Sequence, residues 1–138
     1  MIEITKGVLE FDKNTQGDHI IYINGRASNF KVKEFACHDG SAKVLIDAEL
    51  LGKLQIIREH FNSPVVVNSG YRTVDYNRTV GGVNGSQHVL GKACDIVVKG
   101  KTPAEVAKYA KDIGFRGVGI YSDFVHVDTR LTRSYWYG

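Results

Sequence analysis

Apolar residues fall into a few short runs whose spacing names the elements. Leu50, Leu51, Leu54, Ile57 and Phe61 recur at helical spacing, with Glu49, Lys53, Arg58 and Glu59 between them. This predicts an amphipathic helix from about Asp47 to Phe61. Pro64 stops it, and Val65-Val66-Val67 reads as a short buried strand. Upstream, the run His19-Ile20-Ile21-Tyr22-Ile23 closes on Asn24-Gly25, a tight-turn pair, which predicts a strand or hairpin. Thr102-Pro103-Ala104-Glu105 places a capping residue before proline at the first helical position. The helix it starts buries Val106, Ala107, Ala110 and Ile113 and ends at Gly114. Gly117-Val118-Gly119-Ile120-Tyr121 and Phe124-Val125-His126-Val127-Asp128 read as two late strands. Helices packed on a small, mainly antiparallel sheet make the expected class α+β.

Composition narrows the class without changing it. A length of 138 residues suits one domain over 1–138, with a core that needs no staples and residues 1–26 as an N-terminal extension. Eighteen Lys+Arg against 15 Asp+Glu leave a net charge of +3, too little to mark a nucleic-acid binder. No apolar run approaches the ~20 residues of a membrane span, and the first residues carry no export-signal pattern. Cys37 and Cys94 are the only cysteines, and they are expected as free thiols. A monomer is expected.

The chemistry gathers in three pieces: Asn68-Ser69-Gly70-Tyr71-Arg72, then Ser86 to Asp95, then Asp123 to Asp128. Catalytic zinc takes three protein ligands from histidine and carboxylate and keeps a fourth position open. His88, Asp95 and His126 supply such a set. Asp95 lies in Ala93-Cys94-Asp95-Ile96-Val97-Val98, where an unpaired carboxylate is costly to bury and a cation removes the cost. His126 has the same apolar setting. On a strand, His126 and Asp128 share one face while Val125 and Val127 face the core. His38, beside Cys37, has no further ligands nearby, and His19 and His60 read as surface residues.

The string Ser86-x-His88-x-x-Gly91-x-Ala93-x-Asp95, preceded by Ser69-Gly70-Tyr71-Arg72 and followed by His126-Val127-Asp128, resembles the zinc D-Ala-D-Ala carboxypeptidase family of metallopeptidases. The likeness is greatest to its small single-domain members and extends to phage endolysin peptidases. It runs from about Phe30 to Arg130 and includes Glu34-Phe35-x-Cys37-x-Asp39-Gly40. The resemblance implies a hedgehog/DD-peptidase-like fold and one Zn²⁺ on His88, Asp95 and His126. It also implies a carboxylate general base three residues before the last ligand, where Asp123 stands. Asp128 is the rival base, its other role being to orient His126 or Arg130. Arg72 is the candidate to stabilise the developing oxyanion or clamp a substrate carboxylate. Tyr71 and Ser86 are candidate donors to substrate, and Ser86 is equally a turn-shaping residue. Gly81-Gly82-Val83-Asn84-Gly85 reads as a loop at the rim, and Tyr135-Trp136-Tyr137 as a cap on the core.

The implied substrate is the peptidoglycan stem peptide, cut at a D-Ala-D-Ala type bond. An L-Ala-D-Glu or cross-bridge endopeptidase is the alternative enzyme. A zinc-containing binding module without turnover and a phage structural component are the rivals from other classes. A wall substrate without an export signal suggests an enzyme made in the cytoplasm and released to the wall by phage-type lysis, and a cytoplasmic enzyme that recycles wall fragments fits as well.

Overall fold

The computed structural model describes residues 2–138. Strands β1 (Ile2–Ile4), β2 (Val8–Asp12), β3 (Ile20–Ile23) and β4 (Arg26–Lys31) come first, with a single helical turn α1 (Lys13–Gln16) after β2. A 3₁₀ turn at Val32–Phe35 leads to β5 (Lys43–Asp47), α2 (Ala48–Phe61), β6 (Val65–Ser69) and α3 (Val74–Thr79). Then come β7 (Ala93–Val98), α4 (Pro103–Asp112), β8 (Gly117–Ile120), β9 (Val125–Asp128) and β10 (Ser134–Tyr137). The mixture is α+β, as the hydrophobic pattern predicts.

Three sheets form. The main one has five strands in the order β10-β8-β9-β7-β6; the others are β1-β3-β4 and the antiparallel pair β2-β5. Antiparallel pairing dominates, but β10 runs parallel to β8 and β1 parallel to β3. Asn24 and Gly25 make the β3–β4 hairpin turn, both at positive φ.

Caps bound the helices. Asp47 accepts from Leu50 N at 3.2 Å and starts α2; Asn62 ends it in the left-handed region. Thr102 accepts from Glu105 N at 3.2 Å and starts α4, with Pro103 at its first position. Both helices pack on one face of the main sheet. Leu50, Leu51, Leu54 and Ile57 of α2 and Val106, Ala107 and Ala110 of α4 meet Cys94, Ile96, Val98, Val118, Val125 and Val127 there. Ile113 is only half-buried, since the helix has ended at Asp112. Cys37 and Cys94 are free and buried in this core, and burial pushes the Cys94 thiol well up.

Two expectations need correcting. The valine run of β6 is not buried throughout: Val65 is buried, but Val66 is 51% exposed. The cause is position, because β6 is an edge strand and alternates its faces. The aromatic tail does not cap the core. Tyr137 is 82% exposed and Tyr135 is exposed; only Trp136 turns inward, and onto the opposite face of the sheet.

Candidate metal centre

Cross-strand register builds the centre. Ser69 pairs with Asp95, Asp95 with His126, His126 with Gly119, and Gly119 with Trp136. Residues opposite one another in a sheet share a face. One row across all five strands therefore carries Ser69, Asp95, His126 and Trp136 on the side away from α2 and α4. Asp128 lies two residues along β9, on the same face, opposite Ala93 and Gly117. The small partners are required by space. A Cβ on Gly117 would meet the Asp128 carboxylate at 2.0 Å, and one on Gly119 would meet the Trp136 indole at 2.5 Å.

His88 reaches this row from the loop before β7. Its turn is closed by Gly91 N donating to His88 O, and Arg72 N donates to the same oxygen at 3.1 Å. The Ser86 hydroxyl accepts from His88 N at 3.2 Å, so Ser86 shapes the turn while also lining the cleft. Ligand atoms of His88, Asp95 and His126 all lie within 4.8 Å of one another.

The hydrogen bonds decide which nitrogens face inward. His88 Nδ1 lies 2.7 Å from Gly70 O. A carbonyl only accepts, so Nδ1 carries the proton and Nε2, 3.3 Å from Asp95 Oδ1, is bare in the neutral ring. His126 Nε2 lies 2.7 Å from Asp128 Oδ2 and Nδ1 lies 3.0 Å from Asp95 Oδ1. Arg130 binds Asp128 through Nε at 2.8 Å and Nη2 at 2.6 Å, which keeps that carboxylate ionised and accepting. His126 therefore donates from Nε2 and turns Nδ1 to Asp95. Two nitrogen lone pairs and a carboxylate oxygen converge. That arrangement requires a positive charge, supplied by a proton or a metal ion.

The electrostatics agree. Burial pushes the Asp95 carboxyl up, but hydrogen bonds from His126 and His88 outweigh it and hold the group well below the usual carboxylate range. Burial lowers His126, yet Asp128 and Asp95 outweigh it and raise it above the usual imidazole value. For Asp128, burial is outweighed by Arg130 and His126, and the carboxyl stays depressed. The donor set, two bare imidazole nitrogens and one carboxylate, fits a catalytic zinc site. Asp128 and Gly70 O supply the outer acceptors that such histidines need.

The other candidates divide. Arg72 lines the cleft with Nη2 3.4 Å from Asp95 Oδ2, Nε 3.1 Å from Ser69 Oγ and Nη1 3.2 Å from Asn77 Oδ1. Tyr71 is 7% exposed, sits in the apolar core and does not line the cleft. Asp123 lies exposed in the β8–β9 turn, which Tyr121 N closes on Phe124 O at 3.0 Å. Among the described residues it has no hydrogen-bond partner, while Tyr121 and Phe124 beside it line the cleft. Asp128 is fully buried and contacts the His126 nitrogen that faces away from Asp95.

The cleft over the metal centre encloses about 690 Å³. Arg72 and Arg130 line it, as do the loop 80–87 and the aromatic group Tyr121, Phe124 and Trp136. Trp136 was missed as a site residue. Its indole is 5.1 Å from the His126 ring, beneath the Arg130 guanidinium at 5.0 Å, and its Nε1 donates to Tyr121 Oη at 3.0 Å. The signal was the alternation Gly117-x-Gly119 set against His126-x-Asp128, which leaves space on the site face only. Asn77, buried behind the loop, was missed as well.

A family model described as Peptidase M15 matches residues 28–128. The chain belongs to the peptidase M15 family. The matched segment contains His88, Asp95, His126 and Asp123, and leaves β1, β2, β3 and β10 outside. Over 81 residues the chain is 33% identical to the zinc D-Ala-D-Ala carboxypeptidase of Streptomyces albus G. That alignment covers 54% of this chain and only 32% of the relative.

Proposed function

We propose that this M15 peptidase is a zinc metallopeptidase that hydrolyses peptidoglycan stem peptides, with a D-Ala-D-Ala bond as its target. The observation that carries the reading is the convergence of His88 Nε2, Asp95 Oδ1 and His126 Nδ1, with each outer nitrogen held by an acceptor. The name of the Streptomyces relative supports both the metal and the bond.

His88, Asp95 and His126 would hold the zinc ion, which when bound supplies Lewis-acid activation of water and of the scissile carbonyl. Asp123 is the general base, taking the proton of the attacking water and returning it to the leaving amine. The buried rival, Asp128, has its oxygens committed to Arg130 and His126 on the far side of the imidazole. Its part is to hold His126. The guanidinium of Arg72 has five N–H donors and three protein partners, so donors remain for a substrate oxygen. With Arg130 also lining the cleft, carboxylate-bearing substrates are favoured.

A carboxypeptidase needs a free C-terminal carboxylate. The zinc-loaded protein is expected to cleave a stem pentapeptide ending in D-Ala-D-Ala and to leave its C-terminally amidated form intact. Equal rates on both would overturn the carboxypeptidase assignment in favour of an endopeptidase.

A further inference from the structure

Arg72 is fixed from three sides, and one of the three is outside the metal centre. Ser69 and Asp95 hold Nε and Nη2 from the sheet row. Asn77, on α3, holds Nη1 through Oδ1. The amide of Asn77 is 6% exposed and uses its other end as well: Nδ2 donates to Val83 O at 3.0 Å. Val83 belongs to the loop 80–87 that lines the cleft. The same loop is tied to the Asn77 backbone, because Gly82 N donates to Asn77 O at 2.8 Å. Gly82 lies so close that a Cβ there would stand 2.0 Å from Asn77 Oδ1 and 2.7 Å from its Cγ. One buried amide therefore joins the cleft-side cation to the cleft-side loop, and a glycine is needed for it to fit.

The loop's other backbone bonds are short-range, Val80 N to Tyr76 O, Gly81 N to Arg78 O and Ser86 N to Val83 O among them. Gly81 and Gly85 stand at positive φ, and Val83 is 72% exposed. A substrate entering the cleft meets both the loop and Arg72. We propose that Asn77 is a positioning residue of the peptidase: it locks the loop 80–87 to the guanidinium of Arg72, so that substrate contacts to the two are coupled. This rests on the peptidase reading above. Asn77 does not line the cleft and acts only through Arg72 and Val83.

The two ends of the amide can be separated. Asn77→Asp keeps an acceptor for Arg72 and loses the donor to Val83 O. Asn77→Ala loses both. Gly82→Ala changes no polar group and drives a methyl onto Oδ1. Hydrogen exchange of the segment 80–87 reads the lock without turnover. It is expected to quicken about tenfold in Asn77→Ala and Gly82→Ala, the scale of one lost hydrogen bond. It also quickens in Arg72→Lys, because the guanidinium meets the loop through Asn77 and the backbone bond from Arg72 N to His88 O is unchanged. The double variant Asn77→Ala/Gly82→Ala exchanges like Asn77→Ala alone, since the methyl then has room.

On a stem peptide, with zinc bound, Asn77→Asp raises KM with kcat within about twofold, whereas Asn77→Ala lowers kcat as well, kcat/KM falling about tenfold. Unchanged loop exchange in Arg72→Lys, or additive effects of Asn77→Ala and Gly82→Ala, would overturn the proposal. If Asn77→Ala does not fold, Gly82→Ala and Arg72→Lys decide it. If the wild type hydrolyses no stem peptide, the peptidase reading fails, and the exchange result still decides the lock.

Discussion

Each site histidine has one nitrogen held by the protein and one left for a cation, and this separates the roles of the two aspartates near His126. Asp128 holds the ring through Nε2, while Asp123 has no hydrogen-bond partner among the described residues and stands as the proposed base. Asp128→Asn should weaken zinc binding by about 10–100-fold, measured by competition with a chelator. Asp123→Ala should leave zinc affinity unchanged while lowering kcat by about 10²–10⁴. Full activity in Asp123→Ala would remove it as base. Trp136, the chain's only tryptophan, offers a second readout, since its ring is 5.1 Å from that of His126. Copper(II) added to the zinc-free protein should quench its fluorescence, and His88→Ala should abolish quenching at the same low copper concentration. Undiminished quenching in that variant would place the ion elsewhere. The His88, Asp95 and His126 cluster was legible in the sequence because a carboxylate and a histidine inside apolar runs are costly without a cation. Asp128's orienting role was legible too, through strand alternation. Asn77 and Trp136 were not, since their contacts depend on register and on loop closure.

Among the elements, α2 packs on β6 and β7 of the main sheet and on β4 and β5 of the smaller ones. Its apolar face was readable from spacing alone, and Leu54 is fully buried there. Leu54→Ala should cost about 2–5 kcal/mol in chemical denaturation. By contrast, Val66→Thr should fall within about 0.5 kcal/mol of wild type, because β6 exposes that side chain. At its N-terminus, α2 presents Glu49 to Arg116, which binds it through Nη1 at 3.1 Å and Nη2 at 3.0 Å. Arg116 also donates to the carbonyls of Thr129 and Arg130, fixing the chain just after β9. The Arg116 hydrogen bond, ahead of Lys53, pulls the Glu49 carboxyl below its ordinary value of 4.5. A depressed carboxyl stabilises the fold above its unfolded pKa and loses that contribution as pH falls through the folded value. Stability of the wild type should therefore drop relative to Glu49→Gln as pH falls below about 4.5. The difference should stay under about 1 kcal/mol, as solvent screens a half-exposed pair. A pH-independent difference would show that the pair contributes no charge interaction.

At the scale of the molecule, one sheet separates stability from chemistry. Its helix-covered face is apolar core, and the bare face carries the row Ser69, Asp95, His126 and Trp136. The α+β class followed from periodicity, and the site segment agreed with a family likeness over most of the chain. Strand order and the parallel addition of β10 did not follow, because pairings between distant segments leave no local pattern. The β10 strand lies outside the family-matched segment, yet it supplies a wall of the cleft. The proposed reaction is hydrolysis of a wall peptide at the His88, Asp95 and His126 centre. Its most direct test is mass spectrometry of stem pentapeptide incubated with the zinc-loaded protein, beside the same protein carrying Asp95→Asn. Wild type is expected to release the terminal D-Ala, and the variant to leave the pentapeptide unchanged. An unchanged pentapeptide from wild type holding one zinc per chain would contradict the proposed reaction.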